Sequence, residues 1–557
     1  MQKSSLSCTT RRLLNCKRCY SSVPLPLLHP PSTPPRPGYV PSTQRFGQPL
    51  PSTHPHLLSQ GELTPGIQAK EYEQRRRKLI EGLEDGSLVV IAGGKTKYMS
   101  QNIFYKFRQR SNLWYLTGWE EPDSVLVLQK TSSTTKGYKM TMFVRPKDPY
   151  DESWNGPRSG TDGVCQVFGA DDACDIAWFS TRLEDLILKT KGPVYIDLPN
   201  VSPSTLSSSS SSSRRTRQTS TSSTVSKSLF DYFSLPSSPR GGGGVDDIDG
   251  VLNQLRKKDV RNAAKEVERL RLIKSPAEVM VMKRAADISS QAHSDVMRLC
   301  GTTSSSSSSS SSRNLTENSL VSKFEYTTSS LGSPRPAYVP VCASGENALT
   351  IHYISNNQPL KRGDLVMLDA GCEFGGYASD ITRTFPVSGR FTSSQKALYS
   401  SVLRIHRKLL QICSNPSKSL NLTLEKLHKI SIDLTREELT KELGFKNLNH
   451  YGGGGGDLER ILYPHFVSHP LGIDLHDTMS FRRDENLKPG MVITIEPGIY
   501  VPPLPQFPKE FHNLSVRIED EILIGQTEEE SLILSANAPK EVEDVEATCG
   551  GMLEKAA

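Results

Sequence analysis

Apolar positions in the first patterned part of the chain recur with two different periods. In "AKEYEQRRRKLIEGLEDG" they return every three or four residues, the spacing of an amphipathic helix. "SLVVIAGG" is instead a short continuous apolar run closed by glycines, as in a buried strand. "SNLWYLTGWEEPDSVLVLQK" reads as two more strands around a Gly-centred turn, and "KMTMFVRP" as another. A long helical pattern resumes near Asn253. Within it, Ser275-Pro276-Ala277-Glu278 supplies an N-cap, a proline at the first helical position and the glutamate of a capping box. The helix so opened, "AEVMVMKRAADISSQAHSDVMRLC", should stop before Gly301.

Low-complexity segments break this pattern. Residues 201–250 are mostly Ser, Arg, Thr and Gly and cannot bury enough apolar area to offset their ordering entropy, so they read as an insertion or linker. The serines at 304–312 and glycines at 452–456 read as loop insertions. No apolar period follows Ala538. The expected organisation is a disordered 1–60, an amino-terminal domain over 65–200, the insertion, a second domain over 251–538 and a tail over 539–557. The fold class is α/β (α+β).

A length of 557 residues supports more than one domain. The net charge of +7 is not gathered into a basic stripe with aromatics, which argues against nucleic-acid binding. No apolar run reaches the ~18–20 residues that span a bilayer, so a soluble protein without a transmembrane segment is expected. The opening "MQKSSLSCTTRRLLNCKRCYSS" carries Lys3, Arg11, Arg12, Lys17 and Arg18 and no acid, the make-up of a mitochondrial transit peptide, and points to the matrix. A Pro-rich linker follows to residue 66. The scattered cysteines suit a reducing compartment, and the pair Cys16 and Cys19 has no partner pair at zinc-site spacing.

The chemistry lies in the second half. In "VMLDAGCEFGGYASDITRTF" a turn at Glu373-Phe374-Gly375-Gly376 suggests a hairpin that sets Asp369 opposite Asp380. "YPHFVSHPLGIDLHD" holds His465, His469 and His476, and "MVITIEPGIY" ends an apolar strand at Glu496. "LSVRIEDEILI" puts Glu519 inside another strand, with Arg517 two residues earlier on the same face. Each position alone reads as a cap or a satisfied core residue. Several buried acids together, with few cations beside them, need metal: two divalent ions would turn their repulsion into attraction. Carboxylates with one imidazole suit Mn²⁺ or Co²⁺, Mn²⁺ being the expected ion.

"LDAGCEFGGYASDITRTFPVSG", "SHPLGIDLHD", "ITIEPGIY" and "VRIEDEILI" resemble the motif series of the pita-bread metallopeptidases, in the branch of aminopeptidase P and prolidase. "YKFRQRSNLWYLTGWEEPDSVLVL" resembles the creatinase-like amino-terminal domain of that branch. The resemblance implies that Asp369 ligates one ion, Asp380 and Glu519 bridge two, and His469 and Glu496 ligate the second. It implies that Glu496 also carries protons, that His352 and His476 contact the substrate, and that Arg517 is an outer-shell orienter, with His465 at most supporting. The implied activity is removal of one amino-terminal residue from peptides or imported proteins, as in intermediate cleaving peptidases. The chain's own Arg18-Cys19-Tyr20-Ser21 would be cut after Cys19 and then lose Tyr20. The alternatives are a prolidase limited to Xaa-Pro dipeptides and a metal-free binding protein on the same fold. Homo-oligomerisation is left open.

Overall fold

The computed structural model describes residues 46–198, 247–301, 315–446, 448 and 456–550. The expected transit peptide with its cut beside Cys19 and Tyr20, most of the 201–250 insertion, the serines at 304–312 and the glycines at 452–455 lie outside the described residues.

Alternation along Leu88–Ala92 sends Leu88, Val90 and Ala92 into one core and Val89 and Ile91 into another. Both faces of this strand are therefore covered, which is why its sequence is continuously apolar. It is central in a six-stranded sheet ordered Val260–Asn262, Val194–Asp197, Leu88–Ala92, Val125–Lys130, Tyr138–Val144 and Asp172–Asp175. Pairing is parallel toward both edges and antiparallel in the middle. Helices Ala69–Glu81 and Ala263–Arg271 cover one face, and Phe179–Lys189 and Asp247–Leu255 the other. Residues 247–262, beyond the insertion, thus complete the amino-terminal sheet. We place the domain boundary after Asn262 rather than at 250, and the helical pattern expected from 253 is broken by that edge strand.

Three local readings change. Ser111–Thr117 is a helix, not a strand: Asn112 to Thr117 are all buried, so the run has no polar face from which to read a period. Gly118 ends the helix in the left-handed region at φ +67°, its N–H on the Trp114 carbonyl. A Cβ there would sit 3.0 Å from the Tyr72 ring, so only glycine fits both the turn and the packing. The last part of the Pro-rich linker is not coreless: Gln48, Leu50, Leu58 and Leu63 are buried. Gln48 donates to the Gly118 carbonyl and accepts from the Glu120 N–H, both at 2.8 Å. The tail contains the helix Val542–Cys549, which buries Val542, Val545 and Cys549 on one side and is too short to display a period.

In the second unit, Ser275 and Glu278 form the expected capping box, Oε2 of Glu278 accepting the Ser275 N–H at 2.8 Å and the Ser275 hydroxyl accepting the Glu278 N–H at 3.2 Å. The helix they open runs Pro276–Gly301. It packs with Glu317–Ser330 and Ser393–Ser414 around a core that includes Val296, Leu320, Leu398 and Val402. Against these helices stand short antiparallel sheets. Leu365–Asp369 lies between Val341–Ser344 and Thr382–Pro386. Val492–Ile495 pairs with Asp520–Leu523, and Gly498–Val501 with Leu514–Arg517. Among the described residues no helix is long and apolar enough to cross a membrane.

The core also holds a neutral histidine. His406 Nε2 lies 3.3 Å from Asp520 Oδ2, yet Arg383 and Lys540 already hold that carboxylate at 2.7 and 2.5 Å. Burial pushes the His406 pKa down to about 3 against the pull of Asp520. An unfolded histidine titrates near 6.5, so between those values the unfolded state binds more protons and folding is penalised as pH falls. Relative to His406→Gln, wild-type stability should therefore decline by about 1.4 kcal/mol per pH unit between pH 6 and 4. Urea unfolding of both proteins across that range checks this. A stability difference that is flat with pH would contradict it.

Candidate metal centre

Hairpin pairing places the first two acids. Asp369 pairs with Thr382, and around the turn Glu373 pairs with Ala378 and Phe374 with Tyr377. One register runs through both ladders, so Asp380 lies two residues nearer the turn than the partner of Asp369. The two acids share a face but are diagonal, not directly opposed as expected. The hydroxyl of Tyr338 spans the gap, 2.6 Å from Asp369 Oδ1 and 2.7 Å from Asp380 Oδ1. The Asp380 backbone N–H donates to Glu521 Oε1 at 2.7 Å.

A directly opposed pair of acids does occur in the other hairpin. Ile495 pairs with Asp520 and Gly498 with Arg517, which leaves Glu496 and Glu519 at matching positions where the ladder opens. Glu519 is therefore not inside a strand but at a break between two. Its N–H crosses to the Thr382 carbonyl at 3.1 Å, and that of Glu496 goes to the Val467 carbonyl at 2.9 Å. The open ladder lets two like charges sit side by side without being forced into a regular pair.

The two hairpins and the loop after Tyr463 bring ligand atoms together. One atom each of Asp380, His469 and Glu519 lies within 4.8 Å of the others. His469 Nε2 is 3.3 Å from Asp380 Oδ2 and 3.7 Å from Glu496 Oε1. Its Nδ1 donates to the Pro470 carbonyl at 3.0 Å, which aims Nε2 into the acids, the orientation a metal-binding imidazole needs. Asp369 stands to one side, its Oδ2 accepting from Arg517 Nη2 at 2.5 Å. Arg517 also donates to Thr382 Oγ1 and to the Tyr500 hydroxyl, at 3.1 and 2.7 Å, and Thr382 donates to Glu519 Oε2 at 2.6 Å. Arg517 thus reaches Asp369 directly and Glu519 only through Thr382.

The outer residues divide. The His476 ring lies 4.4 Å from that of His469, centroid to centroid. His352 is exposed on a turn, close enough to help depress the pKa of His476 and His465. His465 donates from Nδ1 to the Phe466 carbonyl, so its Nε2 accepts from the Tyr500 hydroxyl at 2.9 Å. Burial and then Arg517 push its pKa down to about 3. Its 3.5 Å approach to Glu496 is therefore not an ion pair. Tyr338, Thr382 and Tyr500 were not legible as site residues: Thr382 sits in a plain alternating strand, and neither tyrosine carries a spacing signal.

Charge in the pocket is unbalanced. Burial raises the carboxyls of Asp369 and Glu519, with Asp380 adding to both, and takes Glu496 up to about 7. His469 also rises, but from the opposite balance: burial alone would lower it, and Asp380 and Glu496 lift it to about 9. The Arg517 guanidinium and the His469 imidazolium do not by themselves balance the four acids, and oxygen donors with one imidazole fit divalent cations.

Comparison with known proteins agrees with this chemistry. Residues 281–526 match metallopeptidase family M24, and residues 72–195 match the aminopeptidase P amino-terminal domain. Intermediate cleaving peptidase 55 of Saccharomyces cerevisiae is 37% identical over 500 residues, covering 90% of this chain and 88% of its own. Xaa-Pro aminopeptidase 3 of Homo sapiens is 38% identical over 515 residues, 90% of each chain. Intermediate cleaving peptidase 55, mitochondrial, of Arabidopsis thaliana is 33% identical over 502 residues, 90% of this chain and 87% of its own. The crystal structure of the yeast peptidase lacking 58 amino-terminal residues matches with a TM-score of 0.71 and 33% identity, covering 88% of this chain and 100% of that one.

A cation entering the pocket must displace the protons on His469 and Glu496. Titrating metal-free protein with Mn²⁺ near pH 7 should release protons and raise the melting temperature progressively with Mn²⁺ concentration, the stabilisation reaching about 2.7 kcal/mol at a hundredfold excess over Kd. Asp380→Ala should abolish both effects. A melting temperature indifferent to millimolar Mn²⁺, Co²⁺ and Zn²⁺ would contradict a metal centre here.

Proposed function

The chain belongs to metallopeptidase family M24 and is a metal-dependent hydrolase, and from that premise we propose that it removes single amino-terminal residues from peptides and imported mitochondrial proteins. The observation that carries this reading is the convergence of Asp380, His469 and Glu519, with Glu496 and His476 against His469 and Asp369 tied in through Tyr338. Asp369 would hold one divalent ion and His469 with Glu496 a second, Asp380 and Glu519 being shared, and the oxygen-rich donors favour Mn²⁺. When bound, such a pair polarises the scissile carbonyl and brings the pKa of water toward neutrality.

The remaining steps belong to the chain's own residues. Glu496 lies between His465 and His469 and takes a proton from the attacking water, then passes it to the leaving nitrogen. His352 and His476 present N–H groups to the oxyanion that develops on the carbonyl. The chain of donors from Arg517 through Thr382 fixes the carboxylate of Glu519, and that through Tyr500 fixes His465.

The basic, acid-free opening of the sequence and the mitochondrial plant relative support a place in the mitochondrial matrix. Similarity to intermediate cleaving peptidases, and Tyr20 two residues after Arg18, support trimming of a single residue after a first presequence cut. Amino-terminal sequencing of the mature protein should then read from Ser21. A start at neither Tyr20 nor Ser21 would refute self-trimming.

Peptides beginning Tyr-Ser-Ser, longer Xaa-Pro peptides and the dipeptide Ala-Pro, offered to Mn²⁺-loaded protein, test the activity. Release of the first residue from the longer peptides is expected, and activity confined to Ala-Pro would mark a prolidase. Asp380→Ala and His469→Ala should lower turnover by more than the ~10–100-fold typical of losing an outer-shell partner, with circular dichroism unchanged. Near-normal turnover by either variant would overturn the site.

A further inference from the structure

Lys274 is buried with its side chain 1% exposed, as is Asp477, whose Oδ2 it meets at 3.2 Å. A fully buried lysine is rare, and a buried ion pair adds little net stability over apolar packing. Its place in the fold gives it another use. Arg271, one turn earlier in the chain, donates to Asp474 Oδ2 at 2.6 Å and also to Asp477 Oδ1. Both aspartates lie on the loop 470–478, which follows His469 and carries His476.

This loop is closed upon itself. The Asp477 N–H returns to the Pro470 carbonyl at 3.0 Å and the Gly472 N–H to the Asp474 carbonyl at 3.2 Å. Any Cβ at Gly472 would lie 2.4 Å from Asp477 Oδ2. The loop ends at Thr478, which holds φ +49°, a left-handed conformation unfavourable for a β-branched residue. Such a conformation persists only where the surroundings over-determine it. Asp477, the residue before Thr478, is held by the two buried cations, and the rest of the loop is held by the amino-terminal domain. Arg108 Nη2 donates to the Ile473 carbonyl at 2.7 Å, the Ser111 hydroxyl to Asp474 Oδ1 at 2.5 Å, and Arg271 Nη1 to Asn112 Oδ1 at 2.7 Å.

We propose that Lys274 and Arg271 are positioning residues: together with the amino-terminal domain they clamp the loop 470–478 in a strained shape that keeps the His476 ring against that of His469. The proposal deepens the aminopeptidase reading, because it gives the amino-terminal domain a part in the reaction without touching substrate. A purely structural role, neutralising two aspartates, would lower stability and leave turnover alone.

Lys274→Met separates the two. The clamp predicts kcat reduced about 10- to 100-fold, KM changed by less than ~3-fold and metal content unchanged. It also predicts faster amide hydrogen exchange across 470–478 in the metal-free protein, with protection elsewhere retained, and recovery of both properties in Lys274→Arg. Ser111→Ala, made in the amino-terminal domain, should move both readouts the same way by a smaller factor, and decides the matter if Lys274→Met does not fold. A kcat within ~2-fold of wild type in these variants, or unaltered loop exchange, overturns the proposal. Exchange is read without metal or substrate. A wild type lacking peptidase activity, whose loop still loosens in Lys274→Met, would refute the aminopeptidase reading and keep the clamp.

Discussion

The candidate metal centre depends on carboxylates held close together and largely out of water. Two like charges at ~4 Å repel by about 4 kcal/mol at an effective dielectric of ~20, a large share of the 5–15 kcal/mol by which a folded protein is stable. Asp369, Asp380, Glu496 and Glu519 multiply that penalty, and Arg517 is the guanidinium bonded among them. Divalent cations reverse the sign of the sum. Burial and mutual repulsion raise the carboxyls of Asp369 and Glu496, and the neighbouring acids raise His469, the signature of a pocket with more negative than positive charge.

The fold meets this constraint by building the site where regular structure stops. Asp380 precedes the strand Thr382–Pro386, and Glu496 and Glu519 sit in the opening between two halves of one ladder. At such breaks backbone N–H groups are redirected to neighbouring elements, as when Glu519 bonds Thr382 and Glu496 bonds Val467. The side chains then point inward without the spacing that a regular sheet would impose. The amino-terminal domain presses on the same region from outside. A Cβ on Gly376, at the turn of the first hairpin, would lie 2.4 Å from the Trp114 ring, and Arg108 holds Glu373 at 2.6 Å.

Much of this was legible in the sequence because it follows from local rules. The buried strand Leu88–Ala92, the helix Ala69–Glu81 and the capping box at Ser275 each need only period and turn chemistry. The acids were legible as an anomaly, charge beside apolar strands, which is a statement about burial rather than geometry. What failed depended on tertiary context. Asn112 to Thr117 are buried all round and so show no helical face, Gln48 is ordered because Gly118 and Glu120 lie beside it, and Val542–Cys549 folds against the helix Pro276–Gly301, far away in the chain. Register was wrong by two residues for Asp380 and a ladder break was missed at Glu519, since neither leaves a mark in a period of two. Tyr338 and Thr382 announce nothing in sequence, because their part is defined only by the oxygens they bridge.

The measurement closest to the central claim is anomalous diffraction from crystals of the protein grown with Mn²⁺, recorded at the manganese edge. Two peaks inside the cluster, each touching Asp380 and Glu519 and flanked by Asp369 on one side and by His469 with Glu496 on the other, are the predicted result. An empty cluster with its carboxylates still packed together would contradict the account, since protons alone would then be holding them.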